Sequence, residues 1–491
     1  MAELKSGVME ANAIKEGDPV PHEIVPCHVL PPLTWKKEIP ECNLTWKQMI
    51  GPSVILAGMG LGSGESVLWP YVAAHYGFGL FWAAVIGVIT QYILNLEIER
   101  WSLVTGETVL TGFARTGRAW PWVYLACTII PYFWPGWATG AGAVMSWFVG
   151  GSTAMWAVIG LLAVGVALSL GPVLYNTMEK IQTVLVLLIM VIVVIAGVIT
   201  FDANAYVEFA KGAVSFGYMP EGIDMAFVLG AIAYAGVGGA GNLAQSNYIR
   251  DKGYAMGKYV GRITSPITGK PETIPATGYW FPQTEENVNR FKKWFSEATK
   301  EHFVVFFIIT IVSIVVMSAV AYSTVHGMDL GEGMDFIKQE GLVMEQMLGP
   351  WFRVMWWLAV WGALMSTALG VLEMSARLTS DIIKTNWLRH NEKWTVSKLF
   401  YTVLWFQITC GVIILGAGLS QPVTLLVIGA SLNGIVMFLY STHLLWINTR
   451  ILPKSLGPSA ARYLVMLWAV AFFGYFSMKL IADIPSKLGL V

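Results

Sequence analysis

A carboxylate, Glu65, ends a run of alternating glycines inside an apolar stretch long enough to form a membrane helix. The run is Ala57-Gly58-Met59-Gly60-Leu61-Gly62-Ser63-Gly64-Glu65, within the stretch from Met49 to Ala74. Each glycine costs about 1 kcal/mol in a helix, and a freed backbone group must find a partner away from lipid. The run therefore predicts a broken helix that faces the protein interior. A carboxylate at that depth is by default a functional residue, because intramembrane charge is costly.

A second glycine-rich run lies further along the chain, at Ala235-Gly236-Val237-Gly238-Gly239-Ala240-Gly241-Asn242. Both runs begin with Ala-Gly-x-Gly. Paired Gly-interrupted segments in corresponding positions of two halves are typical of a transporter's binding site. The alternative is that both runs are small-residue packing faces of neighbouring helices. We give it less weight, because such faces need glycine at every fourth position and these runs have glycine at every second.

Broken helices expose helix ends and backbone carbonyls, which coordinate cations near the middle of the membrane. Glu65 would add the hard oxygen that Mg²⁺, Ca²⁺ or Mn²⁺ favours; alternatively its carboxyl is protonated or hydrogen-bonded and only ties the helix together. The residues predicted to contact the metal are Gly62, Glu65, Gly239 and Asn242. Those predicted to line the space for the transported species are Ser63, Gly64, Gly238, Gly241, Gln245 and Asn433. For Asn242, hydrogen bonding between helices is the alternative role.

Three residues of a later apolar stretch are candidates for a coupling-ion site, namely Ser366, Thr367 and Glu373. The two hydroxyls could bind sodium against carbonyls of the first break, or could bond back to their own helix. Glu373 precedes Arg377 by four residues, the order that suits an ion pair within a helix. A structural pair and a proton path are both open for Glu373.

The composition identifies the class of protein that must position these residues. The chain has 491 residues, of which 55% are hydrophobic and 13% charged, and its mean hydropathy is +0.60. These values predict a polytopic membrane protein. No basic tract indicates nucleic-acid binding, and no arrangement of nucleophile, base or metal ligands indicates an enzyme.

Apolar runs long enough to cross about 30 Å of hydrocarbon predict eleven spans, numbered 1 to 11 in chain order. They lie at about 48–75, 79–103, 120–149, 152–174, 178–201, 222–249, 302–326, 351–383, 394–417, 420–447 and 461–482. Five spans separate the start of the first break from that of the second, so the two broken helices must cross in opposite directions. The predicted fold is an all-α membrane protein with a 5+5 inverted repeat, broken helices 1 and 6, and one extra helix.

The charge distribution predicts the orientation of the spans. With a cytoplasmic N-terminus, few of the lysines and arginines fall outside: Lys211, Lys338, Arg353, Lys479 and Lys487. We therefore expect an integral protein of the plasma (inner) membrane with its C-terminus outside.

Residues 1–46 are a predicted cytoplasmic tail and 47–491 the transporter domain, with repeats at about 48–201 and 222–447. Residues 251–300 form a cytoplasmic insertion with an N-capped surface helix from Thr284, and the acidic stretch 328–349 is interpreted as a solvated outer loop.

Several of these residues resemble a known family. Gly51-Pro52, Gly62-Ser63-Gly64-Glu65, Asn95-Leu96-Glu97-Ile98-Glu99-Arg100 and Val104-Thr105-Gly106 are similar to motifs of the Nramp family of divalent-metal transporters. The resemblance covers about Gly51 to Ala482. It implies a leucine-transporter-like fold and divalent-metal transport.

The same resemblance marks departures at the site. In the family the first break reads Asp-Pro-Gly-Asn, which places Gly62 at the aspartate and Glu65 at the asparagine. The second reads Met-Pro-His, where Gly239 and Gly241 stand for the methionine and the histidine. Loss of the sulfur removes the ligand that favours transition metals over harder ions. The family's proton route uses acids in span 3 and histidines in span 6, whereas span 3 reads Tyr132-Phe133-Trp134-Pro135-Gly136-Trp137 here and span 6 has no histidine.

The leading functional prediction is a secondary transporter that moves a cation, expected to be a divalent metal such as magnesium or manganese, by alternating access. The alternative is a sodium-coupled carrier of a small organic solute, and a third reading is a membrane scaffold or receptor that transports nothing. No bound cofactor is expected, and H⁺ or Na⁺ are the candidate coupling ions. The expected partners are the lipid bilayer and a metal ion or small solute.

Overall fold

In the part of the chain that the structure describes, eight continuous helices are long and apolar enough to cross a membrane. The computed structural model describes residues 14–171, 173–263, 277–331 and 333–487. In those residues the eight helices are Phe81–Thr105, Thr153–Leu170, Leu174–Ile199, Glu285–Val325, Pro350–Asn386, Val396–Gly416, Pro422–Arg450 and Ala460–Asp483, the last continuing to Lys487. They occupy the predicted positions of spans 2, 4, 5, 7, 8, 9, 10 and 11.

The other three predicted spans are interrupted helices, so the total of eleven stays a prediction. Span 1 consists of Pro52–Gly60, a π-helical segment Leu61–Leu68 and Trp69–Tyr76. Span 3 consists of Trp120–Ile129, a short 3₁₀ turn Ile130–Tyr132 and Gly136–Val149. Span 6 consists of Met225–Ala233 and Gly239–Lys252. The interruption of span 3 was not predicted; Pro131 and Pro135 lie at it, and a proline inside a helix removes a hydrogen-bond donor.

The structure corrects the form of the predicted break in span 1. The chain does not unwind there, since the residues that flank Leu61–Leu68 keep right-handed helical dihedrals. A π-helical segment bonds residue i to i+5 and widens the helix locally, and such segments occur often at functional sites. Span 6, in contrast, is unwound between its two helices, as predicted.

Shorter elements connect the spans: the helices Trp46–Met49, Val109–Ala114, Ala203–Val214 and Asp335–Leu348, and the 3₁₀ helix Ala255–Tyr259. Several helices begin at a side-chain cap that accepts a bond from a backbone N–H two or three residues on. These caps are Thr108, Ser152, Asp202, Asp224, Thr284 and Thr395. The cap predicted at Thr284 is thereby confirmed.

The tail and the insertion pack together. Strand Thr34–Trp35 of the tail pairs in parallel with strand Tyr279–Trp280 of the insertion, and the Trp294 indole donates to the Pro40 carbonyl at 2.7 Å. Helix Glu285–His302 then continues through a π-helical segment, Phe303–Ile308, into span 7. The predicted surface helix is therefore the first part of a longer helix that packs on the tail. The part of the insertion at 264–276 lies outside the described residues.

The acidic stretch between spans 7 and 8 is not the solvated loop that its composition predicts. It contains the helix Asp335–Leu348, whose buried face includes Phe336, Ile337, Glu340 and Met344. The Glu340 carboxyl is 1% exposed and accepts a hydrogen bond of 2.9 Å from the Trp356 indole. Burial raises the pKa of Glu340 to about 8, and the indole donor only partly offsets that effect.

Stability should therefore depend on pH through Glu340. Because its pKa in the folded protein lies above the unfolded value, its contribution is complete below about pH 4.5 and is lost as the pH rises through about 8. We expect Glu340→Gln to melt at a higher temperature than the wild type at pH 9, with a smaller difference at pH 5. Thermal unfolding in detergent at both pH values measures this. Glu345→Gln, on the same helix but 29% exposed, is the control, and an equal shift at both pH values for Glu340→Gln would contradict the assignment.

Candidate functional site

The glycines of span 1 form two interleaved faces. A Cβ at Gly58 would overlap Gln182 and approach Ser366, and one at Gly62 would overlap the Ala363 backbone, so this pair faces spans 5 and 8. A Cβ at Gly60 would lie 3.3 Å from the Gly236 carbonyl oxygen. One at Gly64 would overlap the Tyr234 carbonyl oxygen. This second pair faces the unwound part of span 6.

Each pair has the four-residue spacing of a small-residue packing face. Glycine at every second position is thus what two such faces on one helix produce, with Gly58 and Gly62 on one and Gly60 and Gly64 on the other. The packing interpretation to which we gave less weight describes span 1 correctly. Since the second face lies directly against the span 6 break, the predicted meeting of the two glycine runs is also observed.

The unwound part of span 6 requires glycine for its backbone. Gly236, Gly238 and Gly239 have φ values of +123°, +72° and +54°, in the region that side chains disfavour. The Gln91 side chain of span 2 holds this segment. Its amide nitrogen donates to the carbonyls of Ala233 and Ala235, both at 2.9 Å, and its amide oxygen accepts from the Gly238 N–H at 3.0 Å. Sequence reasoning missed Gln91, although a buried glutamine in the middle of an apolar run is a usable signal.

Glu65 is fully buried beside this segment. One carboxylate oxygen accepts a hydrogen bond from the Ser313 hydroxyl of span 7. The other, Oε1, has no partner in hydrogen-bond geometry among the described residues, and the nearby Thr310 hydroxyl of span 7 also lacks one. A Cβ at Gly60 would lie 2.7 Å from that oxygen and 3.3 Å from the Gly236 carbonyl oxygen. Two oxygens therefore approach the same point, where the absence of a side chain at Gly60 leaves room.

The second helix of span 6 begins at a polar cap made by other spans. The Asn433 amide oxygen of span 10 accepts from the Ala240 N–H at 3.3 Å and from the Tyr132 hydroxyl at 2.9 Å. The Tyr132 hydroxyl in turn accepts from the Gly241 N–H at 3.0 Å. Gly239 leaves the space that Asn433 fills, since a Cβ there would overlap its amide. Asn433 thus lies at the break as predicted, and its observed contacts are those of a helix cap.

Span 1 has a matching arrangement on its other side. The Thr367 hydroxyl of span 8 donates to the Met59 carbonyl at 2.9 Å and accepts from the Gly62 N–H at 2.8 Å. The Ser366 hydroxyl reaches the Gly58 carbonyl at 3.1 Å and contacts Gln182 of span 5. Each interrupted span is therefore held by at least one hydroxyl group from the opposite half, Ser366 and Thr367 for span 1 and Tyr132 for span 6. Spans 5 and 8 contact span 1, and spans 10 and 3 contact span 6. These are corresponding spans in the two halves, as an inverted repeat requires.

The remaining predicted residues have other neighbours. The Ser63 hydroxyl contacts the Gly60 carbonyl of its own helix at 3.4 Å. Asn242 donates to the Tyr440 hydroxyl at 2.8 Å, and its amide oxygen has no partner among the described residues. Gln245 donates to Glu99 at 2.7 Å. The structure therefore brings Glu65 and Gly64 to the span 6 break, whereas Gly62 faces span 8.

Glu373 does not join Ser366 and Thr367. Its carboxylate accepts from the Arg377 guanidinium at 2.6 Å and from the Tyr248 hydroxyl at 2.8 Å. Arg377 also contacts Asp251, and the network continues through Arg250 to Asp381. The structural pair foreseen for Glu373 and Arg377 is observed, as part of a buried charge network. A role for Ser366, Thr367 or Glu373 in binding a coupling ion stays a prediction.

The two interrupted segments are closed on both sides. Every residue from 51 to 70 and from 227 to 251 is buried. The site between spans 1 and 6 is therefore not exposed to solvent from either side. This is an occluded arrangement, in which a bound ion could leave only after part of the bundle moves.

An inverted repeat with interrupted helices around an enclosed central site defines a secondary transporter of the leucine-transporter-like fold. Solved structures of such carriers are similar to this chain. MhsT in complex with L-phenylalanine matches with a TM-score of 0.51 and 13% identity, over 88% of this chain and 98% of that chain. Mhp1, a nucleobase-cation-symport-1 family transporter in a closed conformation, matches with a TM-score of 0.52 and 13% identity, over 88% of this chain and 93% of that chain.

The chain belongs to the Nramp family. The family model described as natural resistance-associated macrophage protein-like matches residues 71–483, which confirms the resemblance seen in the sequence. A structure of the Eremococcus coleocola manganese transporter is similar with a TM-score of 0.64 and 12% identity, over 95% of this chain and 92% of that chain. A search of curated protein sequences finds no match. The family consists of transporters, which agrees with the prediction that the chain is not an enzyme.

Proposed function

We propose that this protein is a secondary transporter that carries a divalent metal ion across the membrane by alternating access. The observation that carries the proposal is the buried, unpartnered Oε1 of Glu65 beside the Gly236 carbonyl, where the two interrupted spans meet. Membership of the Nramp family supports a divalent metal as the transported species. The sodium-coupled organic carrier is not favoured by that membership.

The ligand chemistry favours a hard divalent ion. Glu65 supplies a carboxylate oxygen and Gly236 a carbonyl oxygen, and the Asn242 amide oxygen is a further buried acceptor without a partner among the described residues. Oxygen ligands suit Mg²⁺ and Mn²⁺ better than they suit softer metals. The negative charge of Glu65 offsets part of the charge of the ion, which lowers the cost of placing it in the membrane.

Movement of the ion requires the occluded site to open to each side in turn. The unwound segment 234–238 is a natural hinge, because its glycines tolerate backbone angles that other residues disfavour. The π-helical segment of span 1 is the corresponding adjustable part on the other side of the site. We also propose the orientation that the charge distribution favours, with a cytoplasmic N-terminus in the plasma membrane.

Uptake of metal into proteoliposomes tests this function. With purified protein and ⁵⁴Mn²⁺ outside, we expect saturable uptake that excess Mg²⁺ inhibits and that equal concentrations of Na⁺ do not. Protein-free liposomes, and vesicles made leaky by an ionophore, are the controls. Absence of uptake of every divalent metal tried would contradict the proposed function, and stronger inhibition by Cd²⁺ than by Mg²⁺ would contradict the oxygen-ligand site.

A further inference from the structure

A second buried polar cluster lies where span 1 begins. It consists of Ser53, Glu99, Gln245, Glu301 and His302, and we call it the Ser53 cluster. All five are at most 1% exposed. They come from spans 1, 2 and 6 and from the helix that continues into span 7. The cluster therefore joins four helices near the start of span 1.

Glu301 holds the beginning of the first helix of span 1, Pro52–Gly60. Its Oε1 accepts from the Gly51 N–H at 3.3 Å and from the Ser53 N–H at 3.2 Å. The first N–H groups of a helix have no partner within the helix, and a negative charge there is favoured by the helix dipole. An ionised Glu301 therefore attaches the start of span 1 to the start of span 7.

The Ser53 hydroxyl connects Glu301 to His302. It contacts the second carboxylate oxygen of Glu301 and lies 2.7 Å from His302 Nδ1. A hydroxyl has one hydrogen to donate, so one of these two neighbours must donate to it. In one arrangement His302 Nδ1–H donates to Ser53, and Ser53 donates to an ionised Glu301. In the other, a protonated Glu301 donates to Ser53, and Ser53 donates to His302 Nδ1.

His302 ends this chain of hydrogen bonds and has one ring nitrogen that could still bind a proton. Its Nε2 is buried and has no partner among the described residues. The same holds for Oε2 of Glu99 and Oε1 of Gln245. Three buried polar atoms without a partner among the described residues thus occur in one cluster.

We propose that the Ser53 cluster is a proton-binding site that controls the attachment of span 1. A proton that binds at His302 Nε2 leaves the ring with two protons. The Nδ1 proton then passes to the Ser53 oxygen, and the Ser53 hydroxyl proton passes to Glu301. The net result is one added proton, with the N–H of His302 moved from Nδ1 to Nε2 and Glu301 neutral.

The charged groups next to the cluster do not prevent a proton from binding there. Lys252 is paired with Glu179 at 2.7 Å, and Glu97 is shared by two arginines, Arg100 at 2.7 Å and Arg462 at 3.3 Å. Glu99 receives a hydrogen bond from Gln245 and lies 3.6 Å from His302 Nδ1. The other titratable groups that face the cluster are the tyrosines Tyr92, Tyr175 and Tyr254.

Protonation changes what Glu301 can do at the helix start. A neutral carboxyl accepts hydrogen bonds more weakly than a carboxylate and gains nothing from the helix dipole. The Gly51–Ser53 end of span 1 is therefore released when the proton binds. This inference rests on the proposed transport function, since release of one end of span 1 would open one side of the occluded site.

The test compares uptake of ⁵⁴Mn²⁺ with hydrogen exchange of residues 46–60, both between about pH 5.5 and 8, the range in which histidine-linked sites titrate. For the wild type we expect uptake to change by up to about tenfold per pH unit, and exchange, corrected for its intrinsic pH dependence, to increase at low pH. Glu301→Gln imitates the protonated state and should exchange rapidly at every pH. Ser53→Ala keeps both titratable groups but removes the bridge, and should flatten the pH profile.

Glu340→Gln is the matched control, because it neutralises another buried glutamate that lies outside the cluster. Its pH profile of uptake and its exchange at residues 46–60 should follow the wild type. An unchanged pH response in both Glu301→Gln and Ser53→Ala would overturn the proposal, as would a wild type without any pH response. If no metal is taken up at all, the transport function fails, and the exchange measurement alone decides whether the proton site exists.

Discussion

Replacing Glu65 with glutamine is expected to lower the rate of metal uptake by at least about a hundredfold, equivalent to roughly 2.7 kcal/mol. The substitution keeps the shape of the side chain and removes a negative charge directed at the meeting point of spans 1 and 6. The Gly236 carbonyl that remains is neutral and compensates poorly for the water that a divalent ion must lose. Initial rates of ⁵⁴Mn²⁺ uptake into proteoliposomes, normalised to the amount of folded protein, measure the effect.

Ser313→Ala is the matched control for this experiment. It removes the hydroxyl that donates to Glu65 and leaves the carboxylate in place. We expect it to retain most of the uptake, since a carboxylate freed of one donor is still available to the ion. Uptake by Glu65→Gln at the rate of the wild type would show that the ion binds elsewhere in the bundle.

Adding one methyl group at Gly64 is expected to prevent the packing of span 1 against span 6. The new Cβ would overlap the Tyr234 carbonyl oxygen, which belongs to the backbone and cannot turn away. Overpacking of this kind costs about 1–3 kcal/mol and occasionally more. We expect Gly64→Ala to lower the melting temperature in detergent by about 3 °C, since 1 kcal/mol corresponds to roughly 1 °C for a chain of this length, and to abolish uptake.

Gly416→Ala provides the comparison for that variant. Gly416 is also a helical glycine, and a Cβ there would meet nothing within 4 Å. Its melting temperature should stay within about 1 °C of the wild type. If Gly64→Ala were equally stable and active, the close approach of the two spans would not be part of the working structure.

The sequence was sufficient to locate the eight continuous spans, because long apolar runs have few alternatives in a membrane protein. It was not sufficient to define how spans 1 and 3 are interrupted. Alternate glycines indicated unwinding, but a helix with two packing faces produces the same spacing. Which of the two forms occurs depends on neighbours such as Ala363 and Tyr234, which the sequence of span 1 does not show. In span 3, Pro131 and Pro135 indicated an interruption, but the apolar run was long enough to be interpreted as one continuous helix.

The candidate site was predictable in the same uneven way. The two glycine runs and Glu65 were identified because they are unusual residues within their own spans. Their partners Gln182 and Ser313 were missed, since each is an ordinary polar residue until the fold places it against a segment far away in the chain, and Gln91 was missed although its place in an apolar run was a signal. The contact of Gln91 with Gly238 spans 147 residues, and that of Ser313 with Glu65 spans 248.

The pairing of strand Thr34–Trp35 with Tyr279–Trp280 also has a consequence for the order of assembly. The tail leaves the ribosome long before its partner strand, and at about 5–20 residues per second the delay is roughly 12–50 s. During that time strand Thr34–Trp35 has no partner strand. The strand of the tail can therefore pair only after the first six spans have been synthesised.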